Sequence, residues 1–285
     1  MTYQIIQDIE TVMELKELTI EEFAKELGVS RVTINNWLQG NTEISERNIA
    51  VFYEYAFQKG IRLNKIKEQL YAEEVSDSSQ VLLFHGAKTS IEGKLNLACS
   101  KRKNDFGAGF YCGESLEQSA MFVATFPSSS LYMLKFRREN LKKKEFGVNR
   151  EWMLTIAYFR ERLGEYTNTE IIKKLMQELK DVDYIVAPIA DNRMFEIIDQ
   201  FIDGEITDIQ CQHCLSATNL GNQYVFISEK ALNQVEILER CYLANAEKEA
   251  YLTARQEGYE MNRDKVKVAR RQYRDQGNYI EDILK

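Results

Sequence analysis

A polar octapeptide, Glu73-Glu74-Val75-Ser76-Asp77-Ser78-Ser79-Gln80, divides the chain into two parts with different periodicities. Before it, apolar residues recur only at helical spacing: Ile5, Ile6, Ile9, Val12, Met13 and Leu15 first. Thr19 and Glu22 form a capping-box pattern ahead of Phe23, Ala24 and Leu27, and Gly28 ends that helix. Ser30 can cap a third helix with Val32, Ile34, Trp37 and Leu38 as its inner face, closed by Gly40. Further helical stretches run through 49–57 and 61–70. After the octapeptide the texture is mixed. Strand patterns at 81–84, 131–136, 184–187 and 224–227 alternate with helical patterns at about 115–125, 150–163, 168–180 and 193–203. From Ser228 onward the chain reads as helical and charged. No regular βαβ alternation is present, so a doubly wound parallel sheet is not expected. The expected fold class is α+β: an all-helical domain over 1–72, a linker over 73–80, and a mixed α+β domain over 81–285 with a helical C-terminal extension.

Composition narrows the function classes. No apolar run is long enough to span a bilayer, and the first 20 residues lack a signal-peptide core, so no membrane partner is expected. Five cysteines (Cys99, Cys112, Cys211, Cys214, Cys241) read as reduced thiols, which points to a cytoplasmic protein. A net charge of −7 argues against a nonspecific nucleic-acid coat, so any DNA contact has to come from a local patch.

Two short helices joined by a glycine turn, with small Ala24 at their closest approach, resemble the Xre/Cro family of helix-turn-helix repressors over roughly the first 70 residues. The resemblance implies that Arg31, Thr33, Asn35 and Asn36 face outward at the start of the recognition helix. Arginine suits guanine and asparagine suits adenine, so DNA is the expected partner of this module. The plain alternative is a helical module that binds a protein or a second copy of itself, since Asp and Glu outnumber Lys and Arg here.

Past the octapeptide, an apolar strand ends in His85-Gly86, and Asp105-Phe106-Gly107-Ala108-Gly109-Phe110-Tyr111 follows, with Ser119 and Phe122 on the next helix. A lone strand-end histidine is more often structural, but glycines let backbone approach a ligand and a tyrosine offers a flat face. The His-Gly strand end with its Phe-Gly-x-Gly-Phe-Tyr turn resembles the diphtheria-toxin-like and poly(ADP-ribose) polymerase branch of ADP-ribosyltransferases. That resemblance implies NAD as the substrate: His85 on the ribose, the Gly86 backbone and Ser119 on the carboxamide, Tyr111 and Phe122 around the nicotinamide. His85, Tyr111 and Gln223 are the implied catalytic set. Gln223 stands where the polymerases carry glutamate, and an amide cannot take up a proton as a carboxylate does. The segments at 188–195, 215–224 and 265–274 resemble a bacterial domain of unknown function in the same clan, so the likeness covers about 80–285.

The expectation is an NAD-dependent mono-ADP-ribosyltransferase fused to a DNA-binding regulator; by architectural analogy it serves as a toxin or phage-defence effector. An antitoxin, a macromolecular acceptor and a second copy of the chain forming a homodimer are the further partners such a fusion admits. The alternative is a transcriptional regulator whose inactive domain senses NAD or ADP-ribose, with Gln223 marking lost catalysis. The loop over 204–221 is where this branch selects its acceptor. Cys211, His213 and Cys214 cluster three zinc-type ligands without a nearby fourth, so no metal is expected. The basic runs at 101–103, 137–138 and 142–144 read as solvated faces, the first on the rim of the NAD site.

Overall fold

A computed structural model describes residues 3–218 and 221–285. Five helices come first: α1 (Ile5–Leu15), α2 (Ile20–Leu27), α3 (Arg31–Leu38), α4 (Glu46–Gln58) and α5 (Leu63–Glu74). Their ends are set by the residues that the sequence suggests. Thr19 and Glu22 form a reciprocal capping box, the Ser30 hydroxyl accepts from Thr33 N at 3.0 Å, and Gly28 takes φ +70° to close α2. The five helices bury Ile9, Val12, Phe23, Ile34, Trp37 and Phe52 in one core. Val32, expected on the inner face of α3, is 65% exposed instead. At 100° per residue it lies about 200° from Ile34 and so on the opposite side.

Residues 75–79 turn the chain into a seven-stranded sheet. Its elements are β1 (Gln80–Ala87), β2 (Phe110–Gly113), α6 (Leu116–Val123), β3 (Ser130–Arg137) and β4 (Lys143–Glu145), then α7 (Arg150–Phe159), α8 (Glu170–Leu179), β5 (Tyr184–Pro188) and α9 (Asn192–Ile202). α10 (Asp208–Ser216), β6 (Asn222–Phe226), α11 (Glu229–Leu232), β7 (Val235–Cys241), α12 (Asn245–Gln272) and α13 (Ile280–Leu284) complete it. Strand order is β4-β5-β6-β2-β1-β3-β7, antiparallel except for the β4–β5 pair. The protein is therefore mixed α+β with a helical N-terminal region. Trp152, Ile156, Ile198 and Phe201 pack with Val225 in the largest core, while Leu83, Tyr132, Phe136 and Phe226 form another.

Two expectations change. β7 lies within the stretch read as wholly helical. The expected loop over 204–221 is largely α10, which buries Cys211, Cys214 and Leu215; 204–207 and 217–218 flank that helix, and Asn219 and Leu220 lie outside the described residues. Cys99's side chain also lies outside the described residues; Cys112, Cys211, Cys214 and Cys241 are buried free thiols.

The helical region shares buried surface with the sheet. Ala244, just before α12, belongs to its core, and the Tyr242 ring stacks on Tyr53 at 4.6 Å. Lys67 Nζ stands between two buried carboxylates, 2.7 Å from Asp8 of α1 and 2.5 Å from Glu239 of β7. Tyr53 donates to Asp8 and Tyr71 to Glu239. Asn64 reaches the Tyr242 carbonyl at 2.9 Å and the Glu247 carboxylate at 3.1 Å, and burial pushes that carboxyl up to about 7. On the surface, Lys65 pairs with Glu117 of α6. No helix among the described residues is long and apolar enough to cross a membrane.

Candidate functional site at the fork between two strands

β1 pairs with β3 over eight positions but with β2 only once, at Phe84–Gly113. The two strands part there, and the candidate residues gather at the fork. Gly113 also pairs with Gln223 across β2–β6, so Phe84, Gly113 and Gln223 share one sheet face, with Tyr111 two residues away on it. A Cβ on Gly113 would stand 2.9 Å from Ser119 Oγ, which puts the serine over this face. Ser119 Oγ donates to the Phe84 carbonyl at 3.2 Å. Gly86 has no room for a side chain either: a Cβ would meet Ser119 O at 2.5 Å and Val123 at 2.8 Å. Glycine at 86 lets α6 lie directly on β1, and so brings Ser119 to the fork.

His85 points to the other face, stacked on Phe110 at 4.4 Å. Its Nδ1 lies 2.7 Å from the Tyr111 carbonyl, across the gap that opens beyond the Phe84–Gly113 pair. A carbonyl only accepts, so Nδ1 carries the proton and Nε2 of the neutral ring is an acceptor. Burial pulls this imidazole below its ordinary range, and the bond to Tyr111 opposes that only in part.

Tyr111 does more than present a ring. Its hydroxyl donates to Gly107 O at 2.7 Å and accepts from Phe106 N at 3.1 Å, which pins the glycine turn. Burial raises its phenol well above the ordinary value. Phe122 stands on the outer side of α6, 63% exposed, and makes no ring contact with Tyr111 among the described residues. Gln223 is buried and donates from Nε2 to Asp105 at 2.9 Å and to the Pro188 carbonyl at 3.1 Å. Asp105 in turn holds Arg160 at 2.5 Å. Sequence reading passed over Asp105 and Arg160, because their partners come from positions 190 and 223 and no local spacing signals them.

The polar groups at the start of α9 and on α10 are engaged elsewhere. Asp191 caps α9 through Arg193 N and Met194 N, and the Arg193 guanidinium lies over the Tyr259 ring. Cys211 Sγ is directed to Ile197 O and Cys214 Sγ to Val266 O, while His213 stacks on Tyr273 at 3.5 Å. Among the described residues no three metal-type ligands converge.

In the helical region, Arg31 and Val32 are exposed at the start of α3, and Asn35 and Asn36 are half-buried. The Thr33 hydroxyl is engaged with Ser30 Oγ at 2.8 Å. Val32, which sequence reading placed inside, offers an apolar surface of the kind that meets thymine methyls.

Residues 9–50 match a helix-turn-helix family model, in agreement with the α2–Gly28–α3 geometry. No curated protein and no solved structure matches the chain. Residues 81–237 match the model of the family described as a protein of unknown function (DUF3990), and since this is more than half of the chain's 285 residues, the chain belongs to that family.

Proposed function

We propose that the protein is an NAD-dependent mono-ADP-ribosyltransferase joined to a DNA-binding regulator. The observation that carries this reading is the gathering of Gly86, Ser119, Tyr111 and Gln223 on one face of a strand fork, with the acceptor Nε2 of His85 at its edge. In this reading the nicotinamide lies against Tyr111 and its carboxamide meets the Gly86 backbone and Ser119. His85 Nε2 accepts from a ribose hydroxyl. The glycosidic bond breaks to release neutral nicotinamide, and the fork holds the ribose C1 towards an acceptor. Phe122, exposed on the outer side of α6, would have to turn inward to close the stack. Gln223 supplies no base, so the acceptor is a ready nucleophile and the product carries single ADP-ribose units. Incubation of the protein with labelled NAD and a cell lysate tests this. Free nicotinamide with a labelled macromolecule supports it; NAD left intact across several lysates overturns it.

Tyr111 separates two roles. Tyr111→Ala should weaken NAD binding by about 1–3 kcal/mol through loss of the ring. Tyr111→Phe keeps the ring and loses only the bonds to Phe106 N and Gly107 O, so its affinity should stay closer to wild type. Calorimetric titration of both variants is the check, and equal losses would remove the ring from the site.

The α3 face is proposed to read operator DNA. Alanine at Arg31, Asn35 or Asn36 should each cost about 1–3 kcal/mol against the best site and relax base preference there. Footprinting on the region upstream of the gene shows this directly. Binding that is insensitive to salt, or absent, favours a protein partner for the module.

A second reading, an NAD-responsive repressor without turnover, draws support from the buried Lys67 contacts that tie the helical region to β7. Operator affinity that shifts with NAD while NAD stays intact would favour it.

A further inference from the structure

Gln223 ends in an amide whose two atoms are chemically opposite, and its surroundings fix which way it faces. The end of the side chain at 2.9 Å from Asp105 Oδ2 is also 3.1 Å from the Pro188 carbonyl. A carboxylate and a peptide carbonyl are both acceptors, so that end has to be the nitrogen. The end turned away from both is therefore Oε1. Asp105 cannot swing aside to relax this choice. Its Oδ1 accepts from Arg160 Nε at 3.0 Å and from a terminal guanidinium nitrogen at 2.5 Å, and its Oδ2 also faces Ala190 N at 3.4 Å. Arg160 is itself held, donating to the Ala190 carbonyl at 2.9 Å and lying over the Phe195 ring at 4.0 Å. All the atoms involved are buried or nearly so.

We infer that Asp105 is a positioning residue: clamped by Arg160, it locks the Gln223 amide with its oxygen presented to the strand fork, as an uncharged acceptor for a ribose hydroxyl. The same clamp excludes glutamate from position 223. A carboxylate there would face the Asp105 carboxylate at hydrogen-bond distance, and two carboxylates sharing one site do not both ionise. Gln223 is then the residue this architecture requires and not the trace of a lost glutamate. The ribose role rests on the NAD reading proposed above; the orientation of the amide does not.

Three full-length variants test it: Gln223→Glu, Asp105→Asn, and the two combined, which restores one carboxylate and one amide in exchanged places. Thermal unfolding against pH, without NAD, reads the contact itself. In Gln223→Glu the folded pair holds an extra proton, so the folded pKa lies above the unfolded value of about 4.3 and stability falls as pH rises through that window. Relative to wild type, its Tm should be lower by roughly 5–10 °C at about pH 8 and nearly restored at about pH 5. The combined variant should recover most of that loss at the higher pH. A Gln223→Glu deficit equal at all pH values, or no deficit, overturns the assignment.

NAD titration reads the ribose role. Gln223→Glu should bind NAD at about pH 5 and lose at least about tenfold in affinity by pH 8, while wild type stays level across the range. Asp105→Asn frees the amide to turn over, and should lose about tenfold in affinity at every pH. Level binding in both variants overturns the role given to Asp105. Wild type that binds no NAD at any pH overturns the site reading beneath it, and the melting curves tell that failure from a failure of the clamp.

Discussion

Lys67→Ala is expected to lower the folding stability by about 3–5 kcal/mol. The ammonium lies between Asp8 and Glu239, both buried, and each of those carboxylates also accepts from a tyrosine hydroxyl; among the described residues neither forms an ion pair with a second cation. Burial penalises the charge on Lys67, yet the two carboxylates more than offset this and hold its pKa above that of an ordinary lysine. Removing the cation leaves two uncompensated charges in a low-dielectric joint, which costs far more than the pair contributes over an apolar filling. Lys67→Met with Asp8→Asn and Glu239→Gln should therefore sit much closer to wild type than the single variant does. Urea unfolding of both variants decides it. A single variant within about 1 kcal/mol of wild type would mean that the joint is open to water.

His85→Ala is expected to cut nicotinamide release from NAD by about a hundredfold or more, if the fork is the site proposed. The same change costs stability, because the ring fills space against Phe110 and its Nδ1–H satisfies the Tyr111 carbonyl. That loss should be about 1–3 kcal/mol. His85→Asn keeps a short donor for the carbonyl and removes Nε2, so a large kinetic loss with a smaller stability loss identifies the ring as the ribose ligand. Burial lowers the imidazole pKa below 6.5, so the folded ring stays neutral as pH falls towards that value. NAD affinity should hardly change between about pH 8 and 6.5. For stability the sign follows from the same shift. The unfolded chain protonates first, so the contribution of His85 is complete above about pH 6.5 and is lost as pH falls from there to the folded pKa.

Much of this was legible in the chain because it is local. Thr19, Glu22, Gly28 and Ser30 announce their helices through contacts within a few residues, and the structure shows those same caps. Strands β1, β3, β5 and β6 are apolar enough to be seen directly. β7 was not, because Glu236, Glu239 and Arg240 interrupt its pattern; Glu239 is buried only because Lys67 arrives from a distant helix. α10 escaped for a related reason. It is covered on several sides, so Asp208 and Gln210 are buried along with its apolar residues and no amphipathic stripe is left to read. The resemblance to ADP-ribosyltransferases picked out His85, Gly86, Tyr111, Ser119, Phe122 and Gln223; all but the exposed Phe122 gather at the fork. The clamp of Asp105 and Arg160 needed three dimensions, since it spans 55 residues of chain. Gly86 also carries a second meaning that sequence could not give, as the place where α6 rests on β1.

The buried joint around Lys67 also bears on how the molecule opens. Two domains on a slack tether exchange their amide hydrogens independently, each at its own opening free energy. Here α1, α4 and α5 share side-chain contacts with β7 and with the start of α12, and α12 runs on for 28 residues to pack against α6 and α10. At 1.5 Å per residue that helix is about 42 Å long. Amides in the cores of α4, β7 and α12 should therefore share one slow exchange class and lose protection together when Lys67 is replaced. A protease cut within 75–79 would then leave two fragments that stay associated, each supplying the other with half of a charge pair.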